Sequence, residues 1–191
     1  MRLFLIIFIF IIVHNPIAKA NDINDLQIEG ISIGDSILDF YNKQIIKDNI
    51  KQYTNDKTFS LVEIQSINSE MYDALQLHYK TNDKNYVITG ISGIIDCRND
   101  FNICKNNFDK ISSDLISFFG DKVEISEKKI KSHAADKTGK SKSTSIYFNF
   151  ENGGEAAIQM TNWTKKMDLW DHLRIQVHTK EMKDWYKTAY E

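Results

Sequence analysis

The sequence predicts an α+β protein with antiparallel strands, in the element order α-βββ-α-βββ-α. Short runs in which apolar and polar residues alternate, as they do in strands, occur in two groups of three. One long segment with the apolar spacing of a helix separates the two groups. Within each group only short segments lie between the runs, so the strands are expected to form antiparallel meanders.

The first predicted helix begins after Asp35 or Ser36, because either side chain can accept hydrogen bonds from the first free amides of a helix. A short extended or turn segment precedes it at 26–33. The apolar positions of the helix follow a three–four spacing, with a polar slip at Asn49. These positions are Ile37, Leu38, Tyr41, Ile45 and Ile50.

The first group of strands is predicted at 60–67, 72–79 and 86–95. The first two alternate apolar and polar residues, as half-buried strands do. The third is almost entirely apolar, which is typical of a central strand covered on both faces. It contains Gly90 and Gly93, and glycines inside a strand mark places where another element approaches closely.

The clearest helix spans 101–119, and Gly120 stands where a C-terminal cap belongs. Its apolar side chains form one stripe that is expected to face the core. The stripe consists of Cys104, Phe108, Ile111, Leu115, Phe118 and Phe119. Residues 127–142 include six lysines and are therefore expected to form an exposed loop.

The second group of strands is predicted at 146–150, 156–163 and 172–178. Thr179 can cap a final helix, whose apolar face carries Met182, Trp185, Tyr186 and Ala189. Residues 21–191 are expected to form a single α+β domain. The two helix-plus-three-strand blocks, 26–96 and 101–191, leave open an internal duplication.

A cleavable secretory signal is predicted at residues 1–20. Arg2 gives a positive start, 3–13 is an unbroken apolar run, and Ala18 and Ala20 occupy the two positions that a signal peptidase reads. Cleavage is expected after Ala20. Because the apolar run is shorter than the about 20 residues needed to cross a bilayer, we expect a periplasmic or secreted protein.

The rest of the chain is expected to be soluble. It has no second apolar stretch near 18 residues, so no membrane span is predicted in it. Two of the 24 basic residues lie in the leader and none of the 26 acidic ones does, so the mature chain is mildly acidic. Such a balance gives no general attraction for nucleic acid or anionic lipid. The abundance of Asn, Lys and Ile is typical of an AT-rich bacterial genome.

The chain has two cysteines, Cys97 and Cys104, with six residues between them. In an exported protein an isolated pair is most simply a disulfide. Two buried free thiols are the alternative, because Cys104 also falls on the apolar stripe of a helix. The spacing is not that of a zinc site, and no second Cys or His pair completes four ligands, so no metal site is expected. No other cofactor is expected either.

The segment 170–174, at the start of a predicted strand, is the part of the sequence that most resembles a functional site. By alternation, its polar residues all project from the face opposite Leu173, Ile175 and Val177. Those residues are His172, Arg174, Gln176 and His178. The row can form an anion or carboxylate site, or it can be an ordinary solvent-facing side, or one covered by the lysine-rich segment. His172 can also transfer protons if Asp171 or Asp168 orients it.

Residues 134–141 are similar to a phosphate-binding loop in which Ala replaces the first glycine. No strand leads into this segment and no helix follows it, so a solvated lysine loop is the better interpretation. Trp163, Trp170, Trp185 and Tyr186 cluster near the C-terminus. They can form a binding platform or belong to the core, and core packing is expected for Trp185.

Three segments, 29–41, 133–141 and 170–174, resemble a group of small exported proteins of Pelagibacter-like marine alphaproteobacteria. This resemblance implies no particular activity. The segment 30–41 and the following sheet are also similar to BLIP/SmpA-type envelope modules, which bind other proteins and are not enzymes. This chain lacks the lipid-accepting cysteine that many such proteins carry after the signal, which argues against a lipid anchor.

These observations favour an exported binding or interaction module without enzymatic activity. Its expected partner is a protein or a small anionic ligand of the cell envelope. The candidate surface consists of Trp170, Asp171, His172, Arg174, His133, Lys137 and Lys140. The alternatives are a periplasmic hydrolase that uses His172 with Asp171 or Asp168, and a purely structural envelope protein.

Overall fold

An antiparallel sheet forms the centre of the protein in the computed structural model, which describes residues 22–52, 55–65 and 69–189. The predicted signal at 1–20 lies outside these described residues. The strands are β1 (Gln27–Ile28), β2 (Ile31–Ser32), β3 (Ile50–Lys51), β4 (Phe59–Gln65), β5 (Ala74–Lys80), β6 (Ile88–Asp96), β7 (Glu124–Ile125), β8 (Lys129–Ser132), β9 (Lys142–Asn149), β10 (Glu155–Asn162) and β11 (His172–His178). The helices are α1 (Lys43–Asp48), α2 (Phe101–Phe119) and α3 (Lys180–Tyr186).

The two predicted strand groups join in this one sheet, whose order is β3-β4-β5-β6-β11-β10-β9. Strands β7 and β8 both pair with β9 at its outer edge, while β1 and β2 form a separate hairpin. Strands β6 and β11 are antiparallel neighbours, with Gly93 opposite Ile175. The α+β class with antiparallel strands is confirmed, whereas the internal duplication stays a prediction.

The core lies on the sheet face covered by α2 and the N-terminal segment. Phe108 and Phe119 of α2 are buried, and the Phe119 ring lies 5.2 Å from that of Phe148 in β9. The predicted span of this helix is confirmed at both ends. Asp100 caps its start by accepting a hydrogen bond from the Asn102 amide.

Cys97 and Cys104 connect the end of β6 to the first turns of α2. Their sulfur atoms lie at disulfide-bonding distance, with the two Cα atoms 5.8 Å apart, and both residues are buried. The predicted pairing is thus present in the structure. Among the described residues, no helix is both long and apolar enough to span a bilayer.

The predicted first helix is wrong in its extent. The structure has a short 3-10 turn at Ile37–Asp39, and then the six-residue helix α1. Ser36 caps the turn as expected, but Asn42 begins a second helix by accepting hydrogen bonds from the amides of Gln44 and Ile45. The apolar spacing therefore spans two short elements, because a new cap interrupts it.

The predicted exposed loop at 127–142 is wrong in part, because it contains strand β8 and Lys142 belongs to β9. All four residues of β8 are exposed, which is why composition alone indicated a loop. Lysine-rich edge strands are a common way to prevent one sheet from pairing with another. The backbone of β8 pairs with β9 from Lys129 opposite Ser145 to Ser132 opposite Lys142.

Candidate functional site

The sheet has a polar face on the side opposite α2. Residues paired across neighbouring strands project from the same face, so the register arranges side chains in rows. One row runs through Arg174, Gln159, Ser145 and Lys129. The next runs through His172, Thr161, Ser143 and Lys131. Two further rows run through Gln76, Ser92 and Gln176, and through His78, Gly90 and His178. These four rows define the polar face.

Helix α3 covers one end of the polar face. Its Met182 is completely buried, and a Cβ atom at Gly90 would lie 2.9 Å from the His178 ring and 3.3 Å from Met182. Only glycine at this position allows the close approach, as the prediction for this strand expected. The Tyr186 hydroxyl and His78 Nε2 are hydrogen-bonded at 3.0 Å. His178 is therefore buried under α3 and is not accessible to a ligand.

The loop 133–141, which we call the Asp136 loop, covers the opposite end. The buried Asp136 carboxylate accepts hydrogen bonds from the amides and hydroxyls of Thr138 and Ser141, at 2.7–2.9 Å. These hydrogen bonds hold the pKa of Asp136 far below its usual range. The loop is thus built around a carboxylate rather than around a phosphate. Lys137 and Lys140 are exposed and do not line the cavity described next.

A cavity of about 220 Å³ lies between the Asp136 loop and the rows of β8, β9 and β10. Most of the residues that line it carry a polar or basic group. The lining residues are Lys129, Lys131, Ser132, His133, Ala134, Ser143, Ser145, Tyr147 and Gln159. The His133 ring packs against Trp163, with their centroids 4.2 Å apart. Of these lining residues, only His133 was predicted from the sequence to belong to a binding surface.

Arg174 stands beside this cavity, one strand inward from Gln159. Among residues 22–52, 55–65 and 69–189, no carboxylate lies within salt-bridge distance of its guanidinium. Its Nε atom is buried and has no hydrogen-bond partner there. A buried arginine nitrogen without a protein acceptor is costly, so this atom is a candidate to bind an acceptor from a ligand.

Arg174 also affects the histidines around it. Burial lowers the pKa of His78, His133, His172 and His178, and the positive charge of Arg174 lowers each of them further. The pKa falls to about 4 for His172 and to about 3 for His178. Near neutral pH these rings are uncharged. The fixed positive charge of this region therefore resides on Arg174 and the two lysines of β8.

Unpartnered polar atoms cluster on the same face. Five buried side-chain atoms of the polar face have no hydrogen-bond partner within the described part of the chain. They are His78 Nδ1, Ser92 Oγ, Ser143 Oγ, Arg174 Nε and His178 Nε2. Buried polar atoms are nearly always paired in folded proteins. The two histidine atoms lie under α3, so only the atoms near the open end of the face indicate where a ligand is expected to bind. Ser143 lies in the cavity lining, and Arg174 lies next to it.

The residues at the entry of β11 are brought close together but do not form a catalytic pair. Trp170 is 54% exposed and stacks against the Arg98 guanidinium at 3.3 Å. The Asp171 carboxylate accepts a hydrogen bond from the Trp163 amide at 2.6 Å, which fixes the β10–β11 connection. His172 Nδ1 lies 2.8 Å from the Trp170 carbonyl oxygen instead. Neither Asp171 nor the exposed Asp168 orients His172.

Sequence reasoning missed Lys129, Lys131, Ser143, Ser145 and Gln159. The alternation of Lys129 with Lys131 and of Ser143 with Ser145 was visible as a period-two pattern. That pattern, however, indicates a shared face only once β8 is recognised as a strand. In the portion of the chain that the structure describes, no three His, Cys, Asp or Glu side chains are placed to share a metal ion.

A larger depression, of about 620 Å³, lies near the β4–β5 end of the sheet. It is lined by Asp56, Lys57, Thr58, Lys80 and Asn82. Lys80 is already paired with Glu181 of α3 at 2.8 Å. None of the unpartnered buried atoms belongs to this lining. The cavity beside the Asp136 loop is therefore the better candidate despite its smaller size.

No model of a known protein family matches this chain, and no curated protein matches it either.

Proposed function

We propose that this protein is an exported, non-enzymatic binding module that holds a small ligand in the cavity between the Asp136 loop and the polar face of the sheet. The observation that carries the proposal is a pair of buried polar atoms without a partner among the described residues, Ser143 Oγ in the cavity and Arg174 Nε beside it. A folded protein tolerates such atoms at sites where a ligand supplies the missing partner.

Two features support export to the bacterial periplasm. The N-terminal pattern predicts a signal peptide, and cysteines at disulfide distance are typical of proteins that mature in an oxidising compartment. Cys97 and Cys104 are both buried, so the crosslink is protected from solvent.

The chemistry of the cavity favours binding over catalysis. Covalent catalysis by a hydroxyl requires a base within hydrogen-bond reach of that hydroxyl. Within the described residues, Ser145 Oγ accepts a hydrogen bond from the Gln159 amide at 3.2 Å, and Ser143 Oγ has no partner. His133 Nδ1 accepts a hydrogen bond from the Ala135 amide at 3.2 Å. Among the described residues, the side chains that line the cavity therefore offer hydrogen-bonding groups to a ligand but do not form a nucleophile–base pair.

A ligand screen with two matched variants tests this proposal. Residues 21–191 are purified and screened against small envelope metabolites by thermal shift, and hits are quantified by calorimetry. Ala134 lines the cavity, whereas the neighbouring Ala135 does not, and both are exposed. Ala134→Trp is expected to abolish binding of a hit and Ala135→Trp to preserve it.

Two results would overturn the proposal. One is a screen in which no compound stabilises the protein, and the other is a hit whose affinity survives Ala134→Trp unchanged. Conversion of a hit to product, followed by mass spectrometry, would replace the binding role with an enzymatic one.

A further inference from the structure

We infer that the ligand of this cavity carries an oxyanion, held between the Arg174 guanidinium and the ammonium groups of Lys129 and Lys131. This inference rests on the proposed function and adds the chemical class of the ligand. The shared chemistry is that of a carboxylate or a phosphate, either as a free ion or as part of a small organic acid.

The alternation of β8 places two lysines on one face. Lys129 lies opposite Ser145 and Lys131 opposite Ser143, so both project from the polar face, while Ile130 projects from the other side. Neighbouring lysines are engaged elsewhere. Lys128 pairs with Asp109 at 3.3 Å, and Lys142 Nζ donates to Ser132 and to the Gly139 carbonyl, each at 2.9 Å.

Within the described residues, neither Lys129 nor Lys131 forms an ion pair. The Lys129 ammonium lies 5.9 Å from the centroid of the Tyr147 ring, which is another lining residue. Lys129 and Lys131 project from the same face without a counter-ion, so an anion bound there interacts favourably with both charges.

The carboxylates around the polar face have other partners. Glu155 pairs with Lys183 at 3.1 Å, and Asp96 pairs with Arg98. Glu63 accepts hydrogen bonds from Gln76 and Gln65, Asp171 holds the Trp163 amide, and Asp136 is enclosed in its own loop. None of these carboxylates is paired with Arg174, Lys129 or Lys131, so these three cations lack a counter-ion within the described residues, although the mature chain as a whole is mildly acidic.

The burial of one Arg174 nitrogen also favours an anionic ligand. A solvent-exposed arginine needs no anion, because water solvates it, and this is the ordinary explanation for an unpaired surface arginine. The Arg174 side chain is partly exposed, but its Nε atom is buried, so that explanation does not apply to this nitrogen. A guanidinium offers five donors in a plane, which match the oxygen atoms of carboxylate and phosphate groups. Ser143 Oγ, which is also unpartnered, can add a further donor.

The size of the cavity limits the ligand. Clefts that enclose drug-sized ligands measure roughly 300–1,000 Å³, and this cavity measures about 220 Å³. A small molecule, or the bound portion of a larger one, fits this volume if it is no larger than one sugar ring with its acidic group. The shape thus favours a small acid or sugar acid over an extended chain.

Calorimetric titration of residues 21–191 at constant ionic strength tests the inference. The probes are inorganic phosphate, glucuronate, glucose 6-phosphate and neutral glucose. Binding of at least one anionic probe and no binding of glucose are expected. If phosphate and glucose 6-phosphate bind equally well, the site recognises the free ion; if glucuronate or glucose 6-phosphate binds more tightly than phosphate, it recognises a sugar acid.

Variants then locate the anion. Arg174→Gln is expected to weaken binding roughly 10- to 100-fold, because a charge-assisted hydrogen bond is lost. The double variant Lys129→Gln/Lys131→Gln is expected to weaken it about 3- to 10-fold. The matched control, Lys137→Gln/Lys140→Gln, removes the same charge from the Asp136 loop outside the cavity and is expected to leave the affinity unchanged. Because both lysines of β8 are exposed, the double variant is expected to fold even if Arg174→Gln does not.

Three results separate this inference from the proposed function. A neutral ligand that binds and is blocked by Ala134→Trp would overturn the inference and support the proposed function. Anion binding that both lysine double variants weaken equally would overturn the inference, because it would reflect general charge. If no compound binds at all, both proposals fail.

Discussion

The Tyr186 hydroxyl and His78 Nε2 lie 3.0 Å apart, and this hydrogen bond joins the last helix to a strand more than one hundred residues earlier in the chain. The two rings also pack edge to face, with centroids 5.8 Å apart. The His178 ring packs against both Tyr186 and His78, with centroids 5.0 Å and 6.2 Å away, so this contact closes one end of the polar face. The position of α3 over the sheet thus depends on a buried polar contact as well as on Met182.

Removal of that hydroxyl is expected to destabilise the fold. In Tyr186→Phe the buried His78 ring loses its hydrogen bond, and His78 Nδ1 already has no partner. A buried group left unpaired costs about 1–3 kcal/mol. Urea unfolding of the variant and the parent protein measures the difference in unfolding free energy.

Tyr147→Phe is the control, because its hydroxyl makes no hydrogen bond within the described residues. Equal stability of the two variants would show that the Tyr186–His78 contact does not hold α3 in place.

Acidification is expected to destabilise the protein before its carboxylates titrate. In the unfolded chain a histidine takes up a proton near pH 6.5, whereas folding lowers the pKa of His172 to about 4 and of His178 to about 3. The folded state therefore binds fewer protons than the unfolded state below about pH 6.5. The stabilisation is fully present above that pH and is lost as the pH falls toward 4, by up to about 1.4 kcal/mol per pH unit for each buried histidine.

Urea unfolding midpoints between pH 7.5 and 5 measure this effect. In a His178→Gln variant the unfolding midpoint is expected to depend less steeply on pH, because the variant lacks one histidine whose pKa is lowered by folding. A midpoint that stays constant over this range would contradict the expected neutral state of these rings.

The Asp136 loop is expected to lose its order when the carboxylate is changed. In Asp136→Asn one oxygen acceptor is replaced by an amide, so the hydrogen bonds from Thr138 and Ser141 cannot all be retained. Hydrogen exchange at the amides of Thr138 and Ser141 is expected to become faster. Asp168→Asn, at an exposed position, is the control, and equal exchange rates in the two variants would contradict a structural role for Asp136.

The cysteine pair is expected to be oxidised in protein isolated from the periplasm. Its intact mass should be lower than that of the reduced chain by two hydrogens, and Cys104→Ser should lower the unfolding free energy by about 2 kcal/mol, because the bond closes a short loop. The matched control is the same pair of measurements on the parent protein in the presence of reductant. Periplasmic protein with both thiols free would contradict the crosslink.

Local periodicity predicted much of this fold. The stripe of α2, the alternation of β11 and the glycines of β6 each have a direct physical cause in the structure. Gly90, for example, lies where His178 and Met182 come within contact distance. The extent of α1 was not predicted correctly, because the Asn42 cap begins a new helix inside an apolar pattern that looked continuous.

The candidate site was predicted only in part. Arg174 and His172 were identified, because alternation places them on the polar side of one strand. Lys129 and Lys131 were assigned to a loop, since their relation to Ser145 and Ser143 depends on the pairing of β8 with β9. Such pairing is a long-range property that neither composition nor local spacing contains. The proposed partner of His172, Asp171, is instead bonded to the Trp163 amide.

Mapping of ligand binding by NMR tests the location of the site most directly. With ¹⁵N-labelled residues 21–191 and a bound small molecule, we expect the largest chemical-shift changes at Lys129, Lys131, His133 and Ser143, and little change at Lys80 and Asn82. If the largest chemical-shift changes were instead found around Lys80 and Asn82, or on α2, they would contradict a binding site on the polar face of the sheet.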